Sequence, residues 1–193
     1  MKWNIYRLIA FLLLIALSIG FGLAYDGIAT AIERKQYPID AATEAFIVES
    51  AARHSIPEPI LFATVRTQSR FVSNAVSDDG RIGLTQLDPE LFDFICTDLL
   101  EKDQLESGML YDPATNIEAG AAYLSYLYEK YGVWDTVYAA YVAGTDAVDA
   151  WLVNEEMVTQ QGTLASIPDP DAARYVKDMR RAVELYYELY YGT

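Results

Sequence analysis

The chain has 193 residues, 52% of them hydrophobic, with 14 Lys and Arg against 28 Asp and Glu and a formal net charge of −14. That length suits one ordinary domain of roughly 100 to 200 residues, and the acidic balance leaves no basic field to draw in a phosphate backbone, so no nucleic acid is expected as a partner. The single Cys96 closes no internal disulfide, and one thiol with one histidine falls short of a structural zinc site.

From Leu8 to Tyr25 the chain is uncharged and apolar, close to the ~20 residues that a helix needs to cross the hydrocarbon core. Lys2 and Arg7 precede it, so the positive-inside rule keeps the N-terminus cytoplasmic and sends the rest outward. Gly22 and Ala24 fit the small-residue rule for signal peptidase, but the run exceeds the ~7 to 15 residues of a signal core. An uncleaved single-pass anchor over residues 1–25 is therefore expected, with secretion after cleavage as the alternative. Residues 26–39, which contain Tyr37-Pro38, suit a short stalk, and 40–193 are expected to form the folded domain.

In that domain Asp40 is expected to cap a helix running to Arg53, with Ala42, Phe46, Ile47 and Ala51 on one face. His54 at its end reads as a favourable C-terminal or solvated group. Pro59 fits the first turn of the next helix, where Leu61, Val65 and Gln68 share a face. A polar side chain at the end of an apolar stripe needs a partner or a reason. Ser77 to Gly80 then form a turn in a small hairpin or irregular loop. Asp112-Pro113 open a helix with Ile117, Ala121, Leu124, Leu127 and Tyr128 on one side and Gly132 as its stop. One further helix is expected over TVYAAYVAGTDAVDAWL. The last follows IPDPD, with Val176, Met179, Val183, Tyr186, Tyr187 and Tyr190 along one side. The architecture expected is α+β, mainly α, with one sheet-like excursion.

Five stretches, IPEPILFATVRTQSRF, NAVSDDGRIGLTQL, YDPATNIEAGAAYL, AAYVAG and IPDPDAARYVKDM, in that order, resemble the lysozyme-like domain of the soluble lytic transglycosylases, which cut peptidoglycan glycan strands. The resemblance covers about Tyr37 to Tyr187, and the anchor followed by Tyr-Pro looks like short membrane-tethered members. It implies a lysozyme-like fold and a helix ending in a catalytic Glu-Ser pair. In the family that glutamate protonates the glycosidic oxygen, then acts as base while the muramic acid C6 hydroxyl closes on the anomeric carbon. The pair here is Gln68-Ser69. A carboxamide can neither lend nor recover that proton at neutral pH.

Two further departures are Thr85, where the family has Met, and Val142, where it has Asn. The resemblance carries over Ser69, Ser77, Gln86 and Tyr141 as glycan-binding groups, the Tyr141 hydroxyl reaching the catalytic carboxyl, while a family glutamate before Tyr-Val is displaced to Asp171. The function expected is thus a tethered peptidoglycan-binding protein with impaired or absent cutting. A second reading keeps it an active transglycosylase using Asp78, Asp79 or Asp88, although turn positions explain those residues equally well. A third makes it an envelope scaffold with a vestigial cleft, docking a protein partner through Tyr186, Tyr187, Tyr190 and Tyr191. No metal or organic cofactor is implied.

Overall fold

The computed structural model describes residues 2–102, 105–160 and 162–192, which fall into two compact units, 1–38 and 39–193. The first is essentially one helix, α1 (Lys2–Gln36). It continues without interruption through most of the stretch read as a stalk. Residues Ile9–Gln36 are long and apolar enough to cross a membrane by length and composition, and Phe11, Leu17 and Leu23 are all exposed.

The second unit is built from α2 (Glu44–Arg53), α3 (Glu58–Ser69), α4 (Pro89–Phe94), α5 (Pro113–Tyr131), α6 (Trp134–Ala143), α7 (Thr145–Leu152) and α8 (Pro170–Tyr186). Two π turns, Ile95–Leu99 and Tyr187–Tyr191, and a 3-10 turn, Ser107–Tyr111, complete the helical segments. Among the described residues β structure is limited to isolated bridges, Val76 to Ile82, Ile82 to Leu87 and Val158 to Leu164. The mainly helical expectation holds, with the sheet-like excursion reduced to a bridged loop.

Several ends follow from local chemistry. Asp112 and Asp169 cap α5 and α8, accepting from Thr115 N and from Asp171 N, the role that short carboxylates play at helix N-termini. Pro59 lies in the first turn of α3. Two ends differ from expectation. Asp40 does not cap α2, which starts four residues later; its carboxylate accepts instead from the Thr43 hydroxyl at 2.9 Å. The single helix expected from Thr136 to Leu152 is broken at Gly144, whose φ of 85° lies outside helical space and suits a residue without a Cβ.

The core lies where α3 packs on α8, α8 on α6, and α5 against α2 and α6. Leu61, Phe62, Val65, Leu124, Leu127, Val137 and Met179 are essentially inaccessible. Tyr186 is fully buried and stacks on Phe62 at 5.6 Å, which ties the end of α8 to α3. Tyr128, expected on the buried side of α5, is exposed, and so is Tyr187. Both rings lie where their helices end, beyond the packed centre.

Candidate functional site

The site is organised by a loop pinned to α5. Asn116, fully buried, accepts from Thr85 N at 2.7 Å and from Thr85 Oγ1 at 2.8 Å, and its Nδ2 donates to Ile82 O and Leu110 O, each at 3.0 Å. All the hydrogen-bonding capacity of the amide is thereby used. A Cβ at Gly83 would meet Leu110 O at 2.5 Å, and one at Gly120 would meet the Thr85 methyl at 2.6 Å, so both contacts require glycine. Thr85 is fully buried in this anchor. Its departure from the family pattern therefore concerns loop anchoring and removes no cleft group.

Gln68 lies in the last turn of α3, half-buried. Immediately beyond it the chain turns through Arg70 and Phe71, with φ of 54° and 65°, and Gln86 across the loop has φ of 53°. Such left-handed conformations are uncommon for side chains with a Cβ and gather at functional sites. Among the described residues, two buried side-chain polar atoms lack a hydrogen-bond partner: Gln68 Nε2 and Tyr175 Oη. They are neighbours. Burial raises the Tyr175 phenol well above its ordinary pKa while the Gln68 amide acts against that rise, yet no aligned bond joins them. A carboxylate would present an acceptor to the Tyr175 O–H through either oxygen, whereas an amide does so through one.

From Tyr175 a chain of rings leads outward. Tyr175 stacks on Tyr141 at 6.4 Å, and Tyr141 meets Tyr123 at 5.5 Å. Tyr141 and Tyr123 line a cavity of about 550 Å³ together with Arg81, Gln86, Asp88 and Val142. Gln68 is not part of that lining and connects to it through Tyr175 and Tyr141. Burial pushes the Tyr123 phenol up to about 12 and raises that of Tyr141 well above its ordinary value, so both rings line the cavity as neutral phenols at physiological pH.

The residues singled out from the sequence are placed as follows. Tyr141 lines the cavity, and its hydroxyl donates to Thr85 O at 2.8 Å, while Tyr175 places its hydroxyl beside Gln68. Gln86 also lines the cavity, and its Nε2 donates to Gly83 O at 2.8 Å and Ala75 O at 3.2 Å, bracing the loop that carries it. Ser77 Oγ accepts from Arg81 N at 2.9 Å and bonds Asp79, holding a turn. Ser69 is buried, with its hydroxyl returned to Val65 O at 3.1 Å. Val142 lines the cavity, and its carbonyl accepts from Arg81 Nη2 at 3.1 Å.

The acids differ in placement. Asp78 and Asp79 are exposed, and Asp79 is held below the usual carboxylate range chiefly by the Ser77 hydroxyl, burial opposing and Arg81 assisting. Asp88 is occupied as the cap of α4, accepting from Leu91 N at 2.8 Å. Glu90 and Asp146 reach the cavity from exposed positions. Asp171 is exposed and paired with Arg174.

Sequence reasoning missed Tyr175, although the Tyr-Val dipeptide marks it, and it missed Glu118. That carboxylate, buried on α5, accepts from Ser50 Oγ at 2.9 Å and pairs with Arg53 at 2.6 Å and His54 at 3.1 Å. Burial works to raise its pKa, but hydrogen bonds from Arg53, His54 and Ser50 outweigh this and hold it below the usual range. Among the described residues no group of three or more His, Cys, Asp or Glu is placed to hold a metal.

Comparison with known proteins places this arrangement. The soluble lytic murein transglycosylase of Escherichia coli (strain K12) is 30% identical over 141 residues, which cover 71% of this chain and 21% of that protein. The membrane-bound lytic murein transglycosylase C of Yersinia pestis (strain Pestoides F) is 37% identical over 84 residues, covering 43% and 24%. Among solved structures, an inactive mutant of lytic transglycosylase Slt from Pseudomonas aeruginosa, carrying a glutamate-to-glutamine exchange, aligns with a TM-score of 0.71 at 27% identity, covering 81% of this chain and 25% of that one. The chain thus spans about a fifth to a quarter of the length of these relatives. The profile described as Transglycosylase SLT domain matches residues 45–161, more than half of the chain, and with the fold and the order of motifs in agreement, this chain belongs to the transglycosylase SLT domain family.

Proposed function

We propose that the protein is a membrane-tethered, peptidoglycan-binding member of its family in which glycan-strand cutting is strongly impaired. The observation that carries this reading is the Gln68 carboxamide beside Tyr175, at the helix end where the family resemblance calls for a proton-shuttling carboxyl. Loss of a general acid commonly slows a reaction by ~10² to 10⁴. With one group serving both proton transfers, the loss falls at or beyond the upper end. The inactive Pseudomonas aeruginosa protein carries the same type of exchange, which supports the chemistry.

Binding is supported by the cavity itself, with Gln86, Arg81 and neutral tyrosines on its walls. The second reading, in which another acid has taken over, lacks a suitable candidate: a glycosidase acid needs burial to raise its pKa, and Asp78, Asp79, Glu90 and Asp146 are exposed while Asp88 caps a helix. The tether is the apolar Ile9–Gln36 segment, with Lys2 and Arg7 on the cytoplasmic side, so the domain works outside the cell membrane. The test uses full-length protein in detergent with purified sacculi. It should sediment with them and release anhydro-ended fragments no faster than a protein-free blank. Failure to sediment overturns the binding claim, and release at the rate of an active family member overturns the impairment.

A further inference from the structure

Away from the cavity that holds Tyr141, an open groove of about 440 Å³ is lined by residues of α6 and α8 with Pro57 and Ile60, a volume within the ~300 to 1,000 Å³ of small-ligand sites. Trp134, Arg180, Glu184 and Tyr187 line it, with Tyr138, only 3% exposed, packed behind Trp134. The Trp134 ring is fixed in place, stacked with Tyr128 at 4.4 Å and Tyr138 at 5.9 Å, while Tyr187 remains 40% exposed. Tyr187 also begins a π turn, a distortion found frequently at functional sites. Beside the rings Arg180 grips Asp135, Nε to Oδ1 at 2.7 Å and Nη2 to Oδ2. This fork uses part of each group, leaving guanidinium donors and carboxylate lone pairs for a ligand.

We infer that this groove is a second saccharide site, taking a pyranose unit of the same glycan polymer proposed to bind in the main cavity. A pyranose offers an apolar C–H face to an aromatic ring and a rim of hydroxyls to a neighbouring ion pair, the two chemistries set side by side here. A neutral sugar also meets no repulsion from a strongly acidic domain, unlike an anionic lipid surface. A rigid ring wall lowers the ordering cost of binding. Two sites on one domain suit a repeating polymer, since holding one stretch raises the effective concentration of the next. The inference rests on the glycan reading above.

The test uses full-length protein in detergent carrying Trp3→Phe and Trp151→Phe, which leaves Trp134 as the only tryptophan of the three. Titration with a β-1,4-linked N-acetylglucosamine hexamer should give a saturable change in its emission. Tyr187→Ala should weaken that response ~10-fold and Tyr187→Phe should preserve it, with the melting temperature of each variant measured alongside so that loss of the Tyr191 contact is separated from loss of binding. Sacculus binding with no emission change, or a response indifferent to Tyr187→Ala, overturns this inference and leaves the glycan reading standing. Absence of binding to both sacculi and hexamer overturns both. Unaltered hexamer affinity with loss of a co-purifying envelope protein in Tyr187→Ala identifies the groove as a protein interface and also overturns the inference.

Discussion

Gln68→Glu is the decisive perturbation, because it changes one atom group in a side chain of nearly constant shape. In place of the unpartnered Nε2 it sets an oxygen beside the unpartnered Tyr175 hydroxyl, which can then donate to it. Burial of the new carboxyl raises its pKa and the Tyr175 bond lowers it. The group stays protonatable near neutrality only if burial dominates, as in a glycosidase acid. Restoring a general acid is worth ~10² to 10⁴ in rate, or about 2.7 to 5.4 kcal/mol of barrier. Anhydro-ended fragments released from sacculi should therefore rise by at least two orders of magnitude over wild type. Activity should fall as the pH rises through the pKa of the introduced carboxyl, since the acid form begins the reaction. Gln68→Ala, which lacks both shape and acid, should remain at the blank. If Gln68→Glu melts like wild type, sediments with sacculi and releases no more than Gln68→Ala, then the missing carboxyl is not what limits this domain.

Asn116→Leu leaves Thr85 N, Ile82 O and Leu110 O without their partner and should cost on the order of 3 kcal/mol in urea denaturation; a loss below about 1 kcal/mol would show that the loop is held by something else. Gly83→Ala and Gly120→Ala should each destabilise by ~1 to 3 kcal/mol through overpacking. Gly83→Ala should be the worse, because its Cβ meets backbone and its φ is 84°, and equal melting temperatures would contradict this. Glu118 binds its proton more weakly folded than unfolded, so its stabilisation is complete above the ordinary glutamate range near ~4.3 and is lost as the pH falls through the lower folded value. Glu118→Gln should flatten the fall in stability below about pH 5, and an unchanged pH profile would count against the Arg53, His54 and Ser50 network.

What could be read from the sequence was local. Asp112 and the early Pro59 act within a few residues, and each was legible as a short pattern, whereas Asp40, equally local, does not cap α2. The break at Gly144 was not: an isolated glycine is tolerated within helical periodicity, and only the packed structure fixes its φ at 85°. Glu118 was illegible because its partners Ser50 and His54 lie 68 and 64 residues away, beyond any periodic signal. The same holds for Thr85, whose place under Gly120 and against Asn116 is purely tertiary. The departure at position 68 was visible as a residue type, but its meaning depends on Tyr175, more than a hundred residues further along the chain.

Among the described residues, three of the five non-glycine residues with positive φ, together with both unmet hydrogen bonds, lie around the end of α3 and the bridged loop, while Ser55 and Glu101 lie elsewhere, which bears on whether the cleft is vestigial. Arg70 and Phe71 follow Gln68 directly, and Gln86 faces the cavity, all with positive φ. Each such residue carries a backbone penalty of about 1 to 2 kcal/mol that glycine would avoid. The unpartnered Gln68 Nε2 and Tyr175 Oη add desolvation costs of similar size. A scaffold that used only the outer faces of α6 and α8 would derive no benefit from these features. A domain that still has to present Gln86 and Tyr141 to a sugar strand depends on the turn after α3 and on the loop pinned by Asn116. Backbone costs of this kind at the turn after α3 and in the bridged loop are consistent with the glycan cleft proposed above.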